Sequence, residues 1–292
     1  MTLAFASLAF ILLYGISYGV ILFTISVGLV LTLGLMRVIN LAHGAFAAIG
    51  GYFAVEMMNA AGIPFAAAIV IAVAATALLA IAVERLFYVH LYSASDLDQV
   101  LMTVGLMFLA TATLNLFFGP DIIPGKLPPL LAENVDLGFR TFQTYRIFVV
   151  ILGAALIIAL WFLFDRTEFG ARLRAAVDNR GMAEAMGIDV TRLFTTAFVL
   201  GCALAALGGA VGYPVFPLEP LYPFKYLTLV LIVVSLADFG NIKASAGAAI
   251  IVGVIDTAGR YLFPVSGSFL VYILFIFVMM RRSGILTFGR AA

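Results

Sequence analysis

The chain is made of uninterrupted apolar runs about as long as a lipid bilayer is thick, and that property decides what it can fold into. A helix rises 1.5 Å per residue, so roughly 20 apolar residues cover about 30 Å of hydrocarbon. Cutting the 292-residue sequence where charges or Pro/Gly clusters break such runs leaves candidate spans at 10–34, 39–59, 63–83, 99–118, 146–164, 194–212, 226–237, 244–262 and 265–280. Each must be helical, because hydrocarbon offers an open backbone no hydrogen-bond partner. The runs 63–83 and 145–164 lack the period-two alternation of a membrane strand, which excludes a β-barrel. The expected fold class is an all-α polytopic membrane protein with about 8–10 transmembrane helices. The range reflects residues 1–36, which carry no charge and are too long for one upright helix.

Composition closes the other options. With 64% hydrophobic and 11% charged residues the chain is no water-soluble globule, for which about 45–50% and 25% are usual. Sixteen Lys and Arg against 15 Asp and Glu leave a net charge of +1, too little to hold nucleic acid by counterion release. The one cysteine, Cys202, permits neither an intrachain disulfide nor a cysteine-rich metal site. His43 has no second histidine, glutamate or cysteine at a metal-ligand or nucleophile–base spacing, and His90 falls in a short loop, so no catalytic residue and no metal are expected. The nearest approach to a P-loop, residues 119–127, spaces its glycines one residue too far apart, puts Pro124 where the second glycine belongs and follows Lys126 with Leu127. This chain therefore binds no cofactor of its own. If ATP and magnesium power it, a partner ATPase holds them.

Positive residues orient the spans, because cytoplasmic loops retain Lys and Arg. A cytoplasmic C-terminus puts Arg37, Arg85, the five arginines of loop 165–192, Lys243, Arg281, Arg282 and Arg290 inside, and leaves Lys126, Arg140, Arg146, Lys225 and Arg260 outside. The absence of Lys and Arg before Arg37 fits an external N-terminus and argues against a secretory signal peptide. Two connections are long enough to act. Segment 119–144, rich in Pro and Gly, is expected as an external loop capping a pathway, or as a plain connector. Segment 165–192 is charged and reads as two short helices, 169–178 and 180–186, ending at Gly187.

Three ordered motifs carry a resemblance over nearly the whole chain. They are Gly34-Leu-Met-Arg-Val-Ile-Asn-Leu-Ala-His-Gly44, Arg174-Ala-Ala-Val-Asp-Asn-Arg-Gly-Met-Ala-Glu-Ala-Met-Gly-Ile188 and Ala197-Phe-Val-Leu-Gly-Cys-Ala-Leu-Ala-Ala-Leu-Gly-Gly209. Together they resemble the LivH-type permease subunit of the branched-chain amino acid ABC importer family. The resemblance implies one transmembrane permease domain over 1–292 in a bacterial inner membrane. It implies transport by alternating access, with a second, LivM-like permease or a second copy of the chain, two cytoplasmic ATPase subunits and a periplasmic binding protein that delivers a small molecule. Where the family shows a glycine-rich turn, this chain reads Ser235-Leu-Ala-Asp-Phe-Gly240, which leaves urea, amides and aromatic acids open as substrates. A secondary, ion-coupled transporter is the alternative class, but no paired intramembrane acids or internal repeat stand out.

Two groups of residues become candidates. Asn40, His43 and Gly44 lie near the cytoplasmic end of the second span, where an amide and an imidazole in apolar sequence must find partners, either as a helix break beside the pathway or as interhelical glue. In loop 165–192, Glu184-Ala185-Met186-Gly187 resembles the coupling motif by which importers dock an ATPase. Arg174, Asp178, Arg180 and Glu184 are expected as its polar rim, Met182 and Met186 as an adaptable apolar contact, and Gly187 as a helix stop tolerating positive φ. Small-residue pairs Gly15/Gly19, Ala47/Gly51, Ala205/Gly209 and Gly208/Gly212 read as close helix packing, and Asp256 with Arg260 as a local ion pair.

Overall fold

A computed structural model describes residues 2–36, 38–92, 94–136, 138, 141–237 and 241–282. Arg37, Arg140 and Arg290 of the orientation argument, and Asp238, Phe239 and Gly240 of the divergent turn, lie outside the described residues. In chain order the elements are α1 (Thr2–Leu31), a π-helical turn (Thr32–Met36), α2 (His43–Asn59), α3 (Phe65–Val83), a second π-helical turn (Glu84–Tyr88) and α4 (Val89–Leu91). There follow α5 (Asp96–Phe118), α6 (Pro129–Ala132), β1 (Asn134–Asp136), β2 (Thr141–Gln143), α7 (Thr144–Arg166), α8 (Glu168–Asp178) and α9 (Arg180–Ala185). The chain continues with α10 (Val190–Gly212), α11 (Tyr222–Leu236), α12 (Ile242–Leu262) and α13 (Phe269–Arg282).

The nine candidate spans correspond to α1, α2, α3, α5, α7, α10, α11, α12 and α13. Among the described residues, 6 helices are long and apolar enough to cross a membrane: Ala6–Gly34, Phe65–Leu91, Asp96–Phe118, Thr144–Arg166, Val190–Gly212 and Ile242–Leu262. The other three, α2, α11 and α13, have 17, 15 and 14 residues. Hydropathy counts apolar runs, yet a helix sheathed in other helices need not match the hydrocarbon thickness. The charge-free first region is one helix of 30 residues rather than two, about 45 Å long and therefore accommodated by tilt.

The helices at the centre touch through glycines. A Cβ on Gly15 or Gly19 of α1 would meet the backbone of Val254, Ala249 or Ile250 in α12, and Gly28 of α1 crosses Gly201 of α10. Gly50 of α2 lies on Ala206 of α10, and Gly208 of α10 lies on Ile25. The small-residue pairs read from the sequence thus sit where backbones approach, so dispersion rather than a hydrophobic drive holds these helices in lipid. Outward faces of α3, α5, α7 and α13 expose Leu78, Ile81, Leu116, Phe117, Ile151 and Ile276, as a surface against lipid or another apolar chain requires.

The bundle has two distinct ends. One carries α8 and α9, with Lys243 at the start of α12 facing Asp165 at 3.6 Å. The opposite end carries segment 119–144, which forms α6 and the antiparallel β1–β2 pair. This segment lies over the turn between α10 and α11: the Ile123 amide donates to the Leu218 carbonyl at 3.1 Å, and the Tyr213 hydroxyl donates to the Lys126 carbonyl at 3.0 Å. Burial pushes the Tyr213 phenol up to about 12, so it stays a donor at any physiological pH.

Candidate functional site

The chain between α1 and α2 is not helical, and the structure shows why it can be irregular inside a bundle. After the π-helical turn, residues 38–42 run without regular structure. Their polar backbone is met by α5: the Ile39 amide donates to Gln99 Oε1 at 2.9 Å, and the Thr103 hydroxyl, which donates to the Gln99 carbonyl at 2.8 Å, lies 3.5 Å from the Ile39 carbonyl. Gln99 in turn donates through Nε2 to the carbonyls of Leu91 and Ala94 at 3.1 and 3.3 Å. Unwound backbone is tolerated at membrane depth only where protein supplies such partners. Gln99→Leu leaves the Ile39 amide and two carbonyls without their partner, at about 1–3 kcal/mol for a buried group left unsatisfied. We expect a lower thermal midpoint of the purified protein in detergent, with Gln99→Glu, which keeps an acceptor for Ile39, less affected.

Asn40 and His43 are fully buried. The Tyr88 hydroxyl donates to Asn40 Oδ1 at 2.6 Å, while among the described residues Asn40 Nδ2 has no hydrogen-bond partner and the His43 ring nitrogens find only the backbone of Ile25 near them. The imidazole instead packs where α1 crosses α10, so that a Cβ on Gly28 would meet His43 Cε1 at 2.5 Å and the backbone of Gly201. The motif opens α2, as its place at an end of the second span required, and it lies level with Gly201, the midpoint of α10. The π-helical turn and the irregular residues 38–42 precede it, and α2 begins midway along α10.

A second helix begins at the same level. A Cβ on Gly44 would lie 3.1 Å from the Pro223 carbonyl oxygen and 3.3 Å from its Cα, and the Phe224 ring of α11 meets Phe108, near the middle of α5, at a tilt, with centroids 4.8 Å apart. The N-terminal ends of α2 and α11 therefore meet inside the bundle, each the positive end of a helix dipole, although the Tyr222 and Phe224 amides of α11 are already bonded to the Glu219 and Leu221 carbonyls. From this meeting point α2 runs to the end capped by segment 119–144, where Asn59 donates to the Pro124 carbonyl at 3.0 Å, and α11 runs to the opposite end. An apolar cavity of about 340 Å³ opens beside the α2 N-terminus between α2, α3 and α5, with Ala42, Phe46, Val83, Phe87 and Leu106 in its wall.

Sequence reasoning missed the polar cluster behind this motif. Glu84 is completely buried and accepts hydrogen bonds from Tyr92 at 2.8 Å and Thr195 at 3.0 Å, with Arg85 Nε at 3.7 Å from its other oxygen. Glu84 and Tyr88 share the second π-helical turn, an irregularity frequent at functional sites. The only signal in the sequence is one acidic residue directly after an apolar run, which reads as a span end. Among the described residues no three His, Cys, Asp or Glu side chains group as metal ligands.

The second candidate group lies on α8 and α9, close to the expected boundaries. Asn179 caps α9 by accepting from the Met182 amide at 3.0 Å, and Gly187 ends it at φ +81°. Leu173, Ala176 and Ala183 are buried, whereas Asp178, Arg180, Glu184, Ala185 and Gly187 are exposed and Met182 and Met186 are 62% and 77% exposed. Arg180 pairs with Glu184 at 2.9 Å. Arg174 is exposed as well, and its Nη1 donates to the Phe164 carbonyl at 2.6 Å, tying α8 to the end of α7. The platform also touches the Thr32–Met36 turn and the start of α10, and a cleft of about 520 Å³ runs beside it between Phe169, Met186, Ile188 and Leu193.

Comparison with known proteins decides what kind of molecule this is. The family model for the permease component of the branched-chain amino acid transport system matches residues 11–279. The chain belongs to this family. The permease is 27% identical over 94% of its length to a probable branched-chain amino acid transport permease protein LivH of Methanocaldococcus jannaschii, covering 84% of that protein. It is 24% identical over 86% of its length to the high-affinity branched-chain amino acid transport system permease protein BraD of Pseudomonas aeruginosa, covering 86% of it. It is 27% identical over 68% of its length to the corresponding LivH of Escherichia coli, covering 68% of it. No solved structure matches. The permease is thus a multi-pass membrane protein and a transport subunit of an ABC importer rather than an enzyme.

Proposed function

We propose that this permease carries branched-chain amino acids inward by alternating access, driven by ATP hydrolysed with magnesium on two separate ATPase subunits. In this reading residues 1–292 act as one permease domain, paired with a LivM-like chain or a second copy and loaded by a periplasmic binding protein. The C-terminus and the α8–α9 platform face the cytoplasm of a bacterium, and segment 119–144 faces the periplasm. The names of its relatives support the substrate class. The meeting of two short helices, α2 and α11, at Gly44 and Pro223 carries the reading of the pathway. Discontinuous helices with their N-termini at mid-depth are how transporters present amides to an anionic substrate group without a fixed ion pair. The contact of α8 with the Thr32–Met36 turn joins the platform directly to the broken segment, so movement of the platform reaches the pathway through one rigid turn.

The Tyr88–Asn40 bond favours a second reading, in which Asn40 and His43 only hold helices together. The two separate experimentally. With a pathway role, Asn40→Ala and His43→Ala lower uptake of labelled leucine in membrane vesicles while the assembled complex is still recovered by pull-down on its ATPase. If both variants keep wild-type uptake, the pathway role is wrong, and if the subunit disappears from the membrane, the packing role is right. Calorimetry of the cognate binding protein against leucine, isoleucine, valine, urea and aromatic acids tests the substrate class: no heat with any aliphatic amino acid sinks it.

A further inference from the structure

A pocket of about 380 Å³ opens between α1, α7 and α12 at the end of the bundle away from the platform, with Phe10, Tyr14, Tyr18, Arg146, Asp256 and Arg260 in its wall. Its charges do not balance. Asp256 is spent on Arg260, accepting from Nε at 2.8 Å and from Nη2 at 3.2 Å, as the four-residue spacing predicts. Arg146 has no such partner. Its Nη1 donates to the Ser17 hydroxyl at 3.1 Å, its guanidinium lies over the Tyr14 ring at 4.6 Å, and its buried Nε is without a hydrogen bond. Among the described residues no carboxylate comes within ion-pair distance of it. Two guanidiniums thus line a recess whose one carboxylate is taken by Arg260, at the end of membrane helices, where a charge without a counter-ion is costly.

We propose that this pocket binds one oxyanion group, the carboxylate of an amino acid or the phosphate of a lipid headgroup, on Arg146. A guanidinium is planar and offers paired donors that match an oxyanion. Ser17 and Tyr14 already fix its position and cover one face, so its orientation is settled before the ligand arrives. Phe10 stacks on Tyr14 at 4.0 Å and extends an apolar wall beside the charge, suited to the hydrocarbon that both ligands carry next to their oxyanion. The site is separate from the meeting point of α2 and α11, and it stands whether or not the transported molecule is a branched-chain amino acid.

The test compares two matched pairs of ligands on the full chain purified in detergent, read as thermal stabilisation. Dioctanoyl phosphatidylglycerol is set against dioctanoylglycerol, and leucine against leucinol, each pair differing in the oxyanion. We expect stabilisation by the oxyanion member of at least one pair, lost in Arg146→Gln and partly kept in Arg146→Lys. A response to the lipid pair assigns a headgroup to the site, and a response to the amino acid pair assigns a carboxylate substrate. No oxyanion-dependent stabilisation in either pair overturns the proposal, as does stabilisation that survives in Arg146→Gln. Should that variant not accumulate, Asp256→Asn decides. It frees the Arg260 guanidinium, so oxyanion affinity must rise several-fold, and an unchanged or weaker affinity overturns the site.

Discussion

Gly209→Val is expected to abolish accumulation of the folded permease in the membrane, whereas Gly105→Ala is expected to leave it unchanged. A Cβ at 209 would run into the carbonyl group of Ala47 and stand 3.2 Å from its Cα, so the obstacle is the backbone of α2 and not the tip of a side chain. Overpacking a well-filled core costs about 1–3 kcal/mol where side chains can yield. Here relief requires α2 and α10 to separate, which also strips Gly50 from Ala206 and the His43 ring from the Gly28–Gly201 crossing. Nothing lies within 4 Å of a Cβ at Gly105 in α5, which makes it a control for glycine replacement in a membrane helix. Quantitative immunoblotting of membrane fractions checks both, and wild-type amounts of Gly209→Val would falsify the view that this crossing is closed.

The second large effect is expected at the platform, where Gly187→Val and Glu184→Lys should remove transport-coupled ATP hydrolysis without removing the permease from the membrane. Gly187 sits at φ +81° with open space around it, so valine strains the turn through its backbone and through nothing else. A left-handed residue other than glycine costs about 1–2 kcal/mol, enough to redirect a six-residue helix but not to unfold a bundle of long ones. Glu184 is exposed and paired only with Arg180, also exposed, and such a pair contributes about 0.2–1 kcal/mol. Loss of coupling in Glu184→Lys therefore reports a broken contact with the ATPase rather than a broken fold. Unchanged substrate-stimulated hydrolysis in both variants, measured on the reconstituted complex, removes α8 and α9 as the docking surface.

Much of this was legible in the residues. Apolar runs at 63–83, 99–118 and 194–212 became α3, α5 and α10 because burial in lipid and internal hydrogen bonding are both satisfied by one local conformation. The platform was equally readable, since its caps are local: Asn179 holds an amide three residues on, and Gly187 stops a helix by its own backbone freedom. The bond of Arg174 to the Phe164 carbonyl was not readable, because only the return of α8 onto α7 brings that carbonyl within its reach.

The pathway candidate divided differently. Sequence alone determined that Asn40, His43 and Gly44 interrupt an apolar run and need partners. It could not determine depth. That α2 starts midway along α10, that α11 starts at the same level, and that Glu84 is buried rather than at a span end all follow from tertiary packing. The physical reason is the range of the interactions. Helix formation is settled within a few residues, whereas an unwound segment inside lipid exists only if distant side chains meet its backbone. Here the Gln99 amide, more than a helix away in sequence, is brought to Ile39 by the fold itself.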